Sequence, residues 1–315
     1  MKKLEQRKLD DLVKKDLIFY KNGENAQYIP ALSNVDSKQL AISIYDLESN
    51  SVQTSGIPDN DENFRFAIES ISKVPVLMLA IKDNGIDNVF QHVDAEPTGF
   101  SFNSLLNMQI AKRKYPMNPF VNQGAIVVNS LVAGNDSDER FSRILDFMKT
   151  VFNDDDVSLN ETVYLSESKT GDINRSIAYY MKGKHIWDGN VDDVLDSYFK
   201  QCSVNVTAND LANLGALLAN GGVAPWNNKR IISEEGATIV KSLMLTAGVY
   251  DESGDLSMHI GVPTKSGVGG GLLSSVPHKC GIGIFSPTID KSGNSVAGMK
   301  LLGDIVKELN IDIFD

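Results

Sequence analysis

Leu4, Leu9, Leu12, Val13 and Leu17 recur at helical spacing and predict an amphipathic helix at the head of the chain, its apolar face turned to the core or to a second subunit. The period then shortens to two. Leu40-Ala41-Ile42-Ser43-Ile44-Tyr45 reads as a strand, Asp46 to Ser51 as a turn and Val52 as the start of the returning arm of a hairpin. Phe64-Arg65-Phe66 is a third β-like piece. From about Asn84 to Gly222 the pattern is mostly helical. Phe141, Ile144, Leu145, Met148 and Phe152 form one apolar face, and Leu211, Leu214, Leu217 and Leu218 form another that starts after Thr207 and stops at Gly221. Beyond Pro225 a helix opens at Ser233, β-like pieces follow around Met258 to Val262, Gly270 to Val276 and Gly281 to Phe285, and a last helix runs from about Ser295 to Leu309.

Strands at both ends of the chain with helices between them predict an α+β protein: an antiparallel sheet flanked by helices, with a mainly helical lobe inserted. The expected division is a sheet lobe of residues 1–69 plus 223–315, a helical lobe of residues 70–222, and a cleft between them suited to a site.

At 315 residues the chain is long enough for a large core or two closely packed lobes. Its net charge of −11, without a cluster of Lys and Arg, argues against a nucleic-acid surface. Two cysteines, Cys202 and Cys280, are too few for a disulfide framework and point to a reducing cytoplasm. The four histidines, His92, His185, His259 and His278, show no metal-ligand spacing, so no metal is expected. The basic start Met1-Lys2-Lys3 leads into no apolar h-region, and no run is long enough to cross a bilayer, so neither export nor a membrane is expected.

Chemistry concentrates at Glu69-Ser70-Ile71-Ser72-Lys73. Ser70 and Lys73 fall on one face if a helix starts here, and Pro75 requires that start to lie near Ser70, because its missing N–H is tolerated only in a first turn. A serine beside an amine is a candidate nucleophile and base, provided that burial lowers the lysine's pKa; the apolar run Val74 to Ile81 offers that burial. On spacing alone the same residues also read as a cap and a solvated lysine. The cluster Gly267-Val268-Gly269-Gly270-Gly271 lacks both phosphate-loop patterns and reads instead as a place of close backbone approach.

Tyr28-Ile29-Pro30, Glu69 to Lys73, Asn118-Pro119-Phe120-Val121-Asn122-Gln123-Gly124-Ala125, Ser166-Glu167, Gly171-Asp172-Ile173-Asn174-Arg175, Tyr198 to Ser203, Tyr250-Asp251 and Lys265-Ser266-Gly267-Val268 occur in one order. In that order they resemble the serine-dependent glutaminases, which share the fold of β-lactamases and penicillin-binding transpeptidases. The likeness runs from Tyr28 to the C-terminus. It implies hydrolysis of L-glutamine to L-glutamate and ammonia, no cofactor, and a homodimer or homotetramer. It also implies Ser70 as nucleophile, Lys73 as base, and Tyr250 or Tyr198 as proton donor to the leaving ammonia. Tyr28, Glu69, Asn122, Glu167 and Asn174 would contact substrate, and the N–H groups of Ser70 and Val268 would hold the oxyanion.

Two positions depart from that family, which usually has glutamine at position 69 and alanine at position 123. A carboxylate at Glu69 is expected to repel the substrate carboxylate or to raise the Lys73 pKa. Two alternatives remain: a penicillin-interacting acyltransferase, because Ser203-Val204-Asn205 and Lys265-Ser266-Gly267 imitate its further motifs, and a catalytically weak glutamine-binding regulatory protein.

Overall fold

The computed structural model describes residues 4–58, 64–110 and 114–314; the start of the basic N-terminus, residues 1–3, lies outside them. Its main sheet is antiparallel and five-stranded. The strands are β1 (Leu40–Asp46), β2 (Ser51–Ile57), β6 (Thr264–Ser266), β7 (Gly271–Val276) and β8 (Cys280–Phe285), ordered β2-β1-β8-β7-β6. A small sheet, β3 (Phe66–Ala67), β5 (Val204–Val206) and β4 (Ser158–Leu159), has β5 at its centre.

Alternation along the strands sends two different surfaces to the two faces of the main sheet. Ile42, Ile44, Leu272, Ile282 and Ile284 pack with Leu9, Leu12, Leu301 and Ile305 of the terminal helices Gln6–Asp16 and Val296–Leu309. The predicted N-terminal helix therefore covers its own sheet. The opposite face receives the helix Ala208–Ala219, whose start is closed by a capping box between Thr207 and Asp210. That helix lies very close to the strands. A Cβ on Gly283 would come 1.9 Å from the Ala208 carbonyl oxygen, and one on Gly215 would come 2.3 Å from that of Ser274, so only glycine fits there.

Behind the small sheet, the helix Lys73–Asn84 runs through the middle of the largest apolar cluster, where every residue from Lys73 to Ile81 is buried. A helix apolar on all sides belongs in a core. The face expected from Phe141 to Phe152 packs there too, from the helix Ser137–Phe152. One predicted strand is corrected: the β-like piece at Met258 to Val262 is the end of a helix, Ser253–His259, and its connection, and the strand starts at Thr264. The third piece is shifted as well, to Phe66–Ala67, where pairing with β5 decides its limits.

Candidate active site

Pairing of β3 with β5 ends with a bond from the Ile68 N–H to the Val204 carbonyl at 2.9 Å. The chain then turns sharply. Glu69 takes φ of +50°, a conformation unusual for a residue with a side chain, and Glu69–Ser72 form one 3-10 turn that leads into the helix Lys73–Asn84. Pro75 is the third residue of that helix, where its missing N–H costs nothing. Glycines let the far wall close over this turn. A Cβ on Gly269 would lie 2.5 Å from the Ala67 carbonyl oxygen and one on Gly267 would lie 2.8 Å from that of Ile68, which seats Val268 beside Ser70.

Lys73 is buried, and its amine donates to the Phe120 carbonyl at 3.0 Å and to Asn122 Oδ1 at 2.8 Å. Asn122 in turn donates through Nδ2 to Asn174 Oδ1 at 2.9 Å. Burial pushes the Lys73 amine down to about 8, against weaker opposition from Cys202, Glu69 and Glu167. The Ser70 side chain lies beside the Tyr250 hydroxyl and opposes the rise of its pKa. That hydroxyl also reaches the Ser266 carbonyl at 3.5 Å, and φ of +61° at Tyr250 is the second such backbone position at the site. Burial raises the Tyr250 and Tyr198 hydroxyls, so both are neutral donors near neutral pH.

Tyr28, Glu69, Ser70, Asn122, Glu167, Asn174, Tyr198 and Val268 line one cavity. Lys73 stands behind it through Asn122, and Tyr250 through Ser70. Tyr28 is 55% exposed and forms part of the cavity mouth. Sequence reasoning missed Phe102, Asn103 and Thr170, which share the lining; Phe102 stacks at 4.8 Å on the ring of Tyr250. Nothing in their local pattern distinguishes them. Asn118 serves its own turn, accepting from the N–H groups of Phe120 and Val121 at 2.9 and 3.1 Å. Asn174 is the third residue of the helix Asp172–Gly183 and not its cap.

Glu69 pushes the Lys73 pKa up as expected, but burial outweighs it. Burial raises the Glu69 carboxyl well above the usual carboxylate range, and the charge and hydrogen bond of Glu167 push it further. Burial also raises Glu167, against the opposing effects of Glu69 and Lys73. Burial thus disfavours charge on the Glu69 carboxyl and decides the Lys73 pKa in the downward direction.

Lys265 is fully buried, donates to the carbonyls of Gly248 at 2.9 Å and Ser266 at 2.6 Å, and sits 4.4 Å from the centre of the Tyr250 ring. Ser203 bonds back to the Phe199 carbonyl at 2.8 Å and is absent from the cavity lining, where Tyr198 stands instead. Gln123 donates to the Ser104 carbonyl at 2.7 Å, outside that lining. Among the described residues no three His, Cys, Asp or Glu side chains are grouped to hold a metal.

An antiparallel sheet, a 3-10 turn that carries Ser70 into a buried helix opened by Lys73, and a tyrosine beside the serine define a serine hydrolase of the β-lactamase-like fold. The sequence pattern of the glutaminase family matches residues 23–314, and the chain belongs to that family. It is 60% identical over 306 residues to Glutaminase 1 of Clostridium perfringens (strain 13 / Type A), covering 97% of this chain and 98% of that one. Glutaminase 2 of the same strain is 49% identical over 97% and 99% of the two chains. Among solved structures, the Bacillus subtilis glutaminase YbgJ in covalent complex with 5-oxo-L-norleucine is 34% identical with a TM-score of 0.88, over 98% of this chain and 99% of that one.

Proposed function

We propose that Ser70 attacks the side-chain carboxamide of L-glutamine, and that the resulting acyl-enzyme is hydrolysed to L-glutamate while ammonia leaves. The observation that carries this assignment is the meeting, at one cavity, of a serine beside a tyrosine hydroxyl and a buried lysine, held by Phe120 and Asn122, whose amine burial pushes down to about 8. Lys73, one helical turn on, takes the Ser70 proton as the C–O bond forms. The N–H groups of Ser70 and Val268 receive the charge that develops on the carboxamide oxygen. Tyr250 gives a proton to the departing nitrogen, with Tyr198 close by, and takes back the proton that Lys73 received from Ser70, so that ammonia and not an amide anion leaves. Water then attacks the ester and restores Ser70.

Glu167 answers the substrate's α-ammonium, and Tyr28, Asn122 and Asn174 bind its polar head. The cleft lies between a lobe of residues 1–69 and 223–315 and a lobe of residues 70–222. Tyr28, Glu69 and Val268 reach the cavity from the first, and Ser70, Asn122, Glu167, Asn174 and Tyr198 from the second. We place the enzyme in the cytoplasm, a reading supported by its two buried free thiols, Cys202 and Cys280. We also infer a homodimer or homotetramer, with the mass in solution as its test.

The deciding experiment is ammonia release from L-glutamine by the parent chain and by Ser70→Ala. Loss of a nucleophile lowers turnover by on the order of 10³-fold or more. Release that persists in Ser70→Ala overturns the assignment.

A further inference from the structure

We propose that Glu69 works as an acid and not as a carboxylate: a positioning residue whose proton, donated to Glu167, keeps the Glu167 carboxylate directed at the substrate and spares Lys73 a second negative charge. The inference rests on the assignment of Glu167 to the substrate ammonium. It starts from placement. Glu69 is only 3% exposed, its backbone is held at φ of +50° beside the nucleophile, and its side chain lines the cavity that Glu167 lines from the helix Glu161–Thr170. Its Oε1 is buried without a hydrogen-bond partner, and the neighbouring Glu167 adds to the burial that disfavours its charge. An ionised Glu69 would leave that oxygen charged and unpaired, and would set two carboxylates against each other in one cavity.

The groups that face the pair offer little compensation. Tyr28 and Tyr198 line the same cavity, Tyr250 reaches in through Ser70, and Cys202 comes from the helix Val191–Cys202; burial keeps the hydroxyls of Tyr198 and Tyr250 and the thiol protonated. Lys73 is the nearest cation, and its amine is pushed down to about 8. Lys265, behind Tyr250, is held well below its ordinary range by burial and by Lys73. As pH rises the positive charge of Lys73 therefore disappears. A second negative charge on the carboxyl pair would raise the Lys73 pKa again and disturb Glu167, so catalysis and binding both need the Glu69 proton.

Glutamine has the same shape as protonated glutamate and also donates a hydrogen bond, but it has no proton to lose. The test is kcat and KM for L-glutamine across pH in the parent chain and in Glu69→Gln. Titration of the substrate's own amine is common to both and cancels in their ratio. The raised pKa keeps Glu69 protonated at low and neutral pH, and the proton is lost as pH rises through that value. The ratio of parent to variant kcat/KM is thus level on the acidic side and falls by about tenfold per pH unit above the Glu69 titration. KM in the parent rises faster than in the variant over the same range. A ratio that is flat or rises with pH overturns the proposal, since a merely structural Glu69 would change both parameters equally at every pH. A second measurement needs no variant and no turnover: the carboxyl carbon resonance of Glu69 in the labelled parent chain. It must remain that of a protonated acid at neutral pH, and titration in the ordinary range near about 4.3 overturns the proposal even if the chain releases no ammonia.

Discussion

The back of the main sheet and the floor of the cleft are both buried, yet they are built from opposite materials. On the back, Leu9, Leu12, Ile42, Ile284, Leu301 and Ile305 form an apolar layer between regular strands and two terminal helices. The pair of Lys8 with Glu308 at 3.6 Å stays at its rim, and at the end of the N-terminal helix one buried carboxylate, Asp16, has Lys15 at 3.7 Å. On the floor, Glu69, Lys73 and Lys265 are buried, and Glu69 and Tyr250 hold positive φ. Each buried Leu or Ile on the back contributes about 1.5–3 kcal/mol, whereas an uncompensated charge on the floor costs several. The floor exists because the rest of the molecule offsets it. Its cost takes a chemical form: the same burial that disfavours the Lys73 ammonium makes the amine a base.

Removing that base has the largest effect expected on the cleft side. Lys73→Met keeps the length of the side chain and deletes the amine, and general-base loss of this kind lowers kcat/KM by about 10²–10⁴. The parent's pH profile gives the independent check. Lys73 must be deprotonated to act, so with its pKa at about 8 activity rises as pH rises towards that value and falls about tenfold per unit below it. An acid limb near the ordinary lysine value would mean that burial does not tune this amine, and the contrast between floor and back would lose its chemical meaning.

How far each region was legible follows from the same contrast. Period-two alternation over Leu40 to Tyr45 and helical spacing over Ser295 to Leu309 predicted elements that the structure contains, because burial on one side of a regular element leaves a regular trace. The start of the helix after Thr207 was readable for a local reason, the reciprocal cap between Thr207 and Asp210. The misplaced strand at Met258 to Val262 had too few residues for alternation to separate strand from helix, and Phe66–Ala67 owes its limits to a partner strand far along the chain. At the cleft, the ordered motifs named most of the lining. The raised pKa of Glu69 was not legible, since it depends on burial and on Glu167 from a distant helix. Phe102 likewise takes its place from contact with Tyr250, which no local pattern records.

Leu301→Ala probes the other side of the comparison. Leu301 is fully buried among the strands and the N-terminal helix, and replacing such a leucine removes both transfer free energy and the atoms that filled the space. A loss of about 2–5 kcal/mol is expected in urea or thermal unfolding. The folded variant should retain the parent's kcat, KM and pH profile, because none of the residues lining the cleft belongs to that apolar layer. Lys8→Ala at the rim is the matched control. The Lys8 side chain is half exposed, so breaking its pair with Glu308 should change stability by less than about 1 kcal/mol. If Leu301→Ala shifts the pH profile, the back of the sheet also sets the environment of Lys73, and the two regions act as one.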